Sequence, residues 1–333
     1  MYIVDSYSLA IILCLVTMLC WGSWGNTQKL AGKTWRYELF YWDYVIGVLI
    51  LSLLSAFTMG SIGEGGRGFI EDLAQADMKN IGSAFLGGII FNAANILLSA
   101  AIAIAGMSVA FPVGIGLALV LGVIINYMGS QKGDPLFLFL GVAFIAVAII
   151  LNAIAYKKAT GGNQKVSSKG ILVSILAGVL MSFFYRFVAA SMDLDNFVSP
   201  AAGKMTPYSA VVIFAVGVFI SNFLFNTILM KKPISGEPTN YKAYFKGNFK
   251  IHMVGVLGGI IWGVGNSLSL IAAGKAGAAI SYGLGQGATL VAALWGVFIW
   301  KEFKGASKSI NFLLAIMFVL FAAGIISIIY AGQ

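Results

Sequence analysis

Charge is scarce in this chain. Only 10% of its 333 residues are charged, where a soluble chain carries about a quarter. That excludes an ordinary solvated domain. Cysteine is nearly absent too. The two cysteines, Cys14 and Cys20, share one apolar run six residues apart, so they cannot bridge each other and no disulfide framework is possible. Histidine occurs once, at His252, and no Cys/His spacing of the metal-binding kind exists, so neither a metal nor a cofactor is expected. Gly-rich loops of P-loop spacing, paired inner carboxylates and nucleophile–base constellations are all missing. The sequence therefore argues against an enzyme and against an ATP-driven pump. The N-terminus lacks a basic n-region, so the first apolar run is expected to stay as a span and not to be cleaved. The net charge of +9 does not point to nucleic acid, because the positive residues fall in loops where membrane topology puts them.

What is present is apolar sequence, 59% of the chain, in continuous runs of about 20 residues, the length that crosses a bilayer. A lipid-embedded backbone must close its own hydrogen bonds, and runs that do not alternate choose helices over a barrel. The expected fold is an all-α membrane protein of ten transmembrane helices, at 8–28, 39–59, 81–104, 108–128, 136–156, 170–190, 207–230, 252–273, 277–300 and 308–330. Fifteen of the 21 basic residues fall in loops on one side, among them Lys29, Lys33, Arg36, Lys165 and Lys250. Eight of the 12 acidic residues, including Glu64, Asp72, Asp77, Asp134, Asp193 and Asp195, lie on or near the other. The lysine-rich loops are expected in the cytoplasm and both termini outside.

One segment is written twice. Leu86–Gly122 and Leu257–Ala293 align without a gap at a constant offset of 171 residues. Leu86-Gly87-Gly88-Ile89-Ile90 falls on Leu257-Gly258-Gly259-Ile260-Ile261, and Asn95 falls on Asn266. Spans three and four thus match spans eight and nine, five helices on. Five is odd, so the copies cross the membrane in opposite senses. The expected organisation is two inverted five-helix repeats, 1–156 and 170–333, joined by a cytoplasmic connection at 157–169. That arrangement is a transporter signature, with the solute site near the midplane between the halves.

Polar groups in the hydrocarbon zone are costly and therefore informative. Asn95 and Asn266 are mid-span and repeat-related; they either fix a helix contact or read a solute. Asn92 is one turn from Asn95. Gln286 has no amide partner, because Ile115 aligns with it. Pro112 aligns with Gly283, and both loosen their helices, which makes Phe111–Gly116 and Tyr282–Gly287 candidate site edges. The small residues Gly114, Ala118 and Gly122, matched by Gly285, Thr289 and Ala293, allow close helix packing and suit helices that must slide. Span one ends in Trp21, Trp24 and Asn26. The indoles are either interfacial anchors or the stacking faces that a sugar or planar heterocycle needs, with amides reading its polar edge. Span two opens on an aromatic cluster that includes Tyr41. Within it Asp43 is the candidate proton carrier; the alternative is a carboxylate paired with Lys33 or Arg36. Arg186 is expected to pair with Asp193, and His252 to lie at the membrane interface. Candidate solute ligands are therefore Trp21, Trp24, Asn26, Tyr41, Asn92, Asn95, Phe111, Asn266, Tyr282 and Gln286.

Two five-helix halves in about 330 residues resemble the drug/metabolite transporter superfamily. Within it, Trp21-Gly22-Ser23-Trp24-Gly25-Asn26-Thr27-Gln28-Lys29, Glu38-Leu39-Phe40-Tyr41-Trp42-Asp43-Tyr44, Ile90-Phe91-Asn92-Ala93-Ala94-Asn95 and Ala110-Phe111-Pro112-Val113-Gly114-Ile115-Gly116 resemble the ureide permeases and the bacterial glucose/ribose porter branch. The resemblance implies proton-coupled uptake of a small polar solute, either a sugar or a ureide or nucleobase-like compound, across a bacterial plasma membrane. The partners it implies are that solute, a proton or other cation and the lipid bilayer, with a homodimer left open. A multidrug or metabolite exporter and a passive channel remain the alternatives.

Overall fold

The computed structural model describes residues 1–32, 35–63, 65–105, 107–159, 167–234 and 236–333, without the side chains at 102, 103, 105, 107–109, 111 and 112. Lys33, Glu64, Lys165 and the side chains of Phe111 and Pro112 therefore lie outside the described residues. The first stretch contains α1 (Tyr7–Ser23), α2 (Gly25–Ala31), α3 (Tyr37–Phe57), α4 (Phe69–Gln75), α5 (Met78–Ala105), α6 (Met107–Gly129) and α7 (Pro135–Ala159). The second contains α8 (Ser168–Ala190), α9 (Pro207–Lys231), α10 (Tyr241–Phe245), α11 (Phe249–Ala276), α12 (Ala278–Gln286), α13 (Ala288–Leu294), a π turn (Trp295–Ile299) and α14 (Lys308–Tyr330).

Among the described residues nine helical segments are long and apolar enough to cross a bilayer, and α6 contributes a further apolar stretch at Val113–Gly129. The protein is a multi-pass membrane protein. Local chemistry sets several starts. Thr206 caps α9 ahead of Pro207, whose missing N–H belongs to a position that has no intrahelical acceptor anyway. Asn248 caps α11 by accepting from the Ile251 amide at 2.9 Å.

Glycine decides how the helices cross. At the α5–α9 crossing, a Cβ on Gly88 would strike the Phe214 carbonyl, and one on Gly217 the Phe85 carbonyl. At the α3–α11 crossing, Gly47 meets the Val256 carbonyl and Gly259 that of Tyr44 in the same way. Gly141 and Gly324 join α7 to α14 likewise. Backbones touch where no side chain intervenes. Around these crossings α5 packs on α8 and α9, α11 on α1 and α3, α6 on α8, and α12 and α13 on α1.

Both termini lie at one end of the bundle. The N-terminal amine donates to the Gly65 carbonyl, and the Asp134 amide donates to that of Ala331. The same end carries a polar clamp. Arg67 pairs with buried Asp72 at 3.0 Å and donates to the Pro200 and Lys204 carbonyls, while Asp72 accepts from the Thr206 amide. At the opposite end Lys29 pairs with Glu302 at 2.9 Å and lies over the Trp300 ring.

Candidate solute cavity

Trp21 reaches the centre of the bundle because two glycines leave room for it. A Cβ on Gly265 would meet its five-membered ring, and one on Gly285 its six-membered ring. The indole stacks on Trp262 of α11, with centroids 5.9 Å apart and planes within 6°. Trp262 in turn packs on Phe91 of α5 at 4.3 Å. Phe91 and Trp262 stand at the same position of the two sequence copies.

These rings wall a cavity of about 60 Å³. Trp24, Asn95 and Leu98 complete one side; Ile115, Met181, Phe184 and Gln286 complete the other. A water needs about 10–15 Å³ measured this way, so the cavity has room for a few waters and not for a sugar or a heterocycle. Ile115 and Gln286 are also repeat-related, so one position of the repeat supplies an apolar wall from α6 and an amide from α12.

Of the residues singled out from the sequence, Trp21, Trp24, Asn95 and Gln286 line this cavity together. Tyr41 stands one bond behind, its hydroxyl accepting from Asn95 Nδ2 at 3.2 Å. Asn266 is fully buried, and its Oδ1 has no hydrogen-bond partner among the described residues. The remaining three point elsewhere. Asn92 donates to Ser221 on α9 at 2.9 Å. The Tyr282 hydroxyl lies over Gly122 and donates to the Ala118 carbonyl at 3.0 Å. Asn26 accepts from Trp300 Nε1 at 2.7 Å, away from the cavity.

Sequence reasoning missed Phe91, Leu98, Met181, Phe184 and Trp262. The repeat carried a signal for two of them: an aromatic pair at matched positions, one turn before the matched asparagines.

Asp43 is buried; of its two alternative partners, Lys33 lies outside the described residues and Arg36 is engaged elsewhere. Arg36 is taken by Glu38 at 2.6 Å and by the Glu237 carbonyl. The hydrogen bond and charge of Glu38 raise the Arg36 guanidinium further above its ordinary range, against the effect of its own burial. Asp43 instead accepts from the Tyr244 hydroxyl at 2.6 Å, and His252 Nδ1 lies 2.9 and 3.0 Å from its two oxygens. Gly255 makes this possible, since a Cβ there would collide with that of Asp43. Burial, then the hydrogen bond to Asp43 and its charge, hold the Tyr244 hydroxyl well above the usual tyrosine range, so it acts as a donor. The lone histidine is thus half of a carboxylate–imidazole pair covered by α10, which also places Tyr244 against the imidazole ring at 4.8 Å. Arg186 makes no pair with Asp193, whose Oδ2 accepts from the Ala201 amide at 2.9 Å.

The family model for ureide permeases matches residues 40–169 and 157–331. The chain belongs to the ureide permease family. It is 25% identical over 389 residues to ureide permease 2 of Arabidopsis thaliana, covering 98% of this chain and 97% of that one. It is 23% identical over 381 residues to ureide permease 1 of the same plant, with the same coverage. The glucose uptake protein GlcU of Bacillus subtilis (strain 168) is 25% identical over 322 residues, covering 94% of this chain and 96% of that one. A solved crystal structure shares the fold at a TM-score of 0.57 and 13% identity, with 96% of each chain covered. A permease moves solutes and performs no covalent chemistry, which fits a cavity of ring faces and amides. This member of the family is a transporter of small polar solutes, not an enzyme.

Proposed function

We propose that the chain takes up a ureide, nucleobase-like compound or sugar together with a proton across a bacterial plasma membrane, by alternating access between two inverted five-helix halves. The observation that carries this reading is the central cavity. Two of its ring walls, Phe91 and Trp262, come from matched positions of the sequence repeat, and the amides of Asn95 and Gln286 line it with them. Rings stack on a planar or hydroxylated solute while amides read its polar rim.

The helix contacts support the inverted organisation. Span three packs on spans six and seven, and span eight on spans one and two. Exchanging the halves, 1–156 for 170–333, converts each of these pairs into the other. The glycine interlock occurs twice in the same sense, Gly88 with Gly217 and Gly259 with Gly47. The two segments matching the family overlap at 157–169, the connection between the halves. With the lysine-rich end in the cytoplasm, both termini face outward.

Asp43 is our candidate for the proton site. As a carboxylate it accepts from both Tyr244 and His252; once protonated it loses the charge that holds them, and α10 is released from α3 and α11. Solute entry requires the cavity to widen well beyond 60 Å³, so binding and helix movement are coupled. The test is counterflow and pH-driven accumulation of allantoin, uracil and glucose in proteoliposomes. We expect saturable counterflow of at least one solute, with Asp43→Asn retaining exchange and losing accumulation. Normal pH-driven accumulation by Asp43→Asn would sink the proton assignment, and flux without saturation would favour a channel.

A further inference from the structure

A second, larger cavity opens at the end of the bundle that carries both termini. Its volume is about 670 Å³, inside the range typical of small-molecule sites. It lies between the first turns of α5, the ends of α6 and α8, and the loop that follows α8. Along α8 its lining starts at Arg186, beyond the Met181 and Phe184 that line the central cavity, and the two linings share no residue.

Its floor holds an unusual group. Arg186, half-buried, lines it and has no hydrogen bond or ion pair to any described residue. The guanidinium lies flat on Gly129 at the end of α6: the three atoms nearest to a Cβ added there all belong to Arg186. A missing side chain on one helix thus seats the cation of another. The loop after α8 is pinned to the start of α5 and to the end of α8. Asn80 Nδ2 donates to the Gly203 carbonyl at 2.7 Å, the Asp77 amide donates to the same oxygen at 3.0 Å, and the Met205 amide donates to that of Ser191 at 3.0 Å.

Charge on the walls is balanced. Asp77, Asp193 and Asp195 line it together with Lys79, Arg186 and Lys204, whose ammonium also donates to the Ala190 carbonyl at 2.6 Å. A full anion gains from the three cations but meets three carboxylates, and a full cation meets the reverse. A neutral molecule with C=O and N–H side by side gains from both. Arg186 offers five N–H donors in a planar fork and accepts nothing. Such a fork matches planar carbonyl acceptors better than the scattered hydroxyls of a sugar.

We propose that this vestibule is a second, separate binding site for a neutral ureide or oxo-heterocycle, with Arg186 donating to its carbonyl and the wall carboxylates accepting from its N–H groups. The inference extends the transport reading by giving the solute a recruitment site before the central cavity, and it favours carbonyl compounds over sugars.

The test is equilibrium binding of radiolabelled allantoin to the full chain in lipid nanodiscs, with unlabelled uracil and glucose as competitors. Two saturable sites per chain are expected. Arg186→Gln weakens one of them roughly tenfold or more, as the loss of charge-assisted hydrogen bonds demands. Gly129→Ala weakens the same site while leaving every charge in place, because it lifts the guanidinium off its seat. Trp262→Phe affects only the other site. Thermal unfolding separates loss of binding from loss of fold, and Arg186→Gln leaves it unchanged, since Arg186 makes no hydrogen bond or ion pair to any described residue. A wild-type chain that binds neither allantoin nor uracil, or a single site insensitive to Arg186→Gln and Gly129→Ala, overturns the proposal. Glucose competing as well as uracil at the Arg186-dependent site overturns the carbonyl preference. The transport reading fails separately, through absence of counterflow of all three solutes in proteoliposomes, and the nanodisc measurement stands independently of that result.

Discussion

Trp262 is the residue on which the central cavity turns, touching Trp21 on one side and Phe91 on the other. Replacing it by alanine removes the shared wall and leaves a void among large rings. We expect Trp262→Ala to lower solute affinity by at least tenfold and to cost roughly 3–5 kcal/mol of stability; Trp262→Phe keeps the packing and isolates the effect on affinity, read by binding titration and thermal unfolding. Asn95 and Asn266 separate in the same way. Asn95 edges the cavity and holds Tyr41, so Asn95→Ala is expected to weaken binding more than folding. Asn266 has a buried oxygen without a partner among the described residues; exchange for an apolar residue of similar shape, Asn266→Leu, relieves that desolvation cost, and a rise in melting temperature with unchanged affinity would assign it to packing. His252→Gln keeps a donor for Asp43 but cannot hold a second proton. If the pair works as a unit, the pH profile of accumulation changes shape in this variant while counterflow at a single pH does not.

At the scale of helices, what matters is where backbones touch. Gly88 and Gly259 occupy equivalent crossings, and a side chain at either would strike a carbonyl of the facing helix. Gly88→Val and Gly259→Val are each expected to cost roughly 1–3 kcal/mol or more. Gly82 on α5 is the control, because nothing lies within 4 Å of an added Cβ there. Gly82→Ala is expected to stabilise by about 0.4–1 kcal/mol through the unfolded chain alone. Span nine differs from its copy. Where α6 is one helix, the second copy breaks at Gly287 and ends in a π turn, with the Trp300 amide donating to the Trp295 carbonyl at 2.8 Å. Residues five apart point to different sides of an α-helix but nearly the same side of a π turn. That is how Trp295 reaches Ser23 at 2.9 Å and Trp300 reaches Asn26 at 2.7 Å. The sequence made the spans legible through their apolar runs, and the matched segments through their glycines and asparagines. The π turn had no such signal, because its register is set by partners some 270 residues away. The Asp43–His252 pair was hidden for a related reason: the loop sequence between spans seven and eight says nothing of how α10 folds back over α3.

For the molecule as a whole, a buried hydroxyl cluster ties three helices together. In it Tyr185 meets the Ser269 and Ser281 hydroxyls at 3.0 and 3.3 Å, joining α8, α11 and α12. At the lysine-rich end the end of α1 and α2 are tied to the π turn and the loop after it by the two tryptophan N–H bonds and the Lys29–Glu302 pair. Exposed ion pairs contribute little, about 0–1 kcal/mol, so the indoles matter more. Trp295→Phe with Trp300→Phe is expected to favour the state open towards that end, read as faster labelling of a cysteine placed at Ile115. The stacked pair of Trp21 and Trp262 has one more consequence, and it is optical. A solute that enters the cavity meets three indoles, the stacked pair and Trp24, so each binding event changes the emission of the protein without any added dye. Trp21→Phe, Trp24→Phe and Trp262→Phe should each reduce that signal, whereas Trp42→Phe, on the far side of α3, should leave it intact.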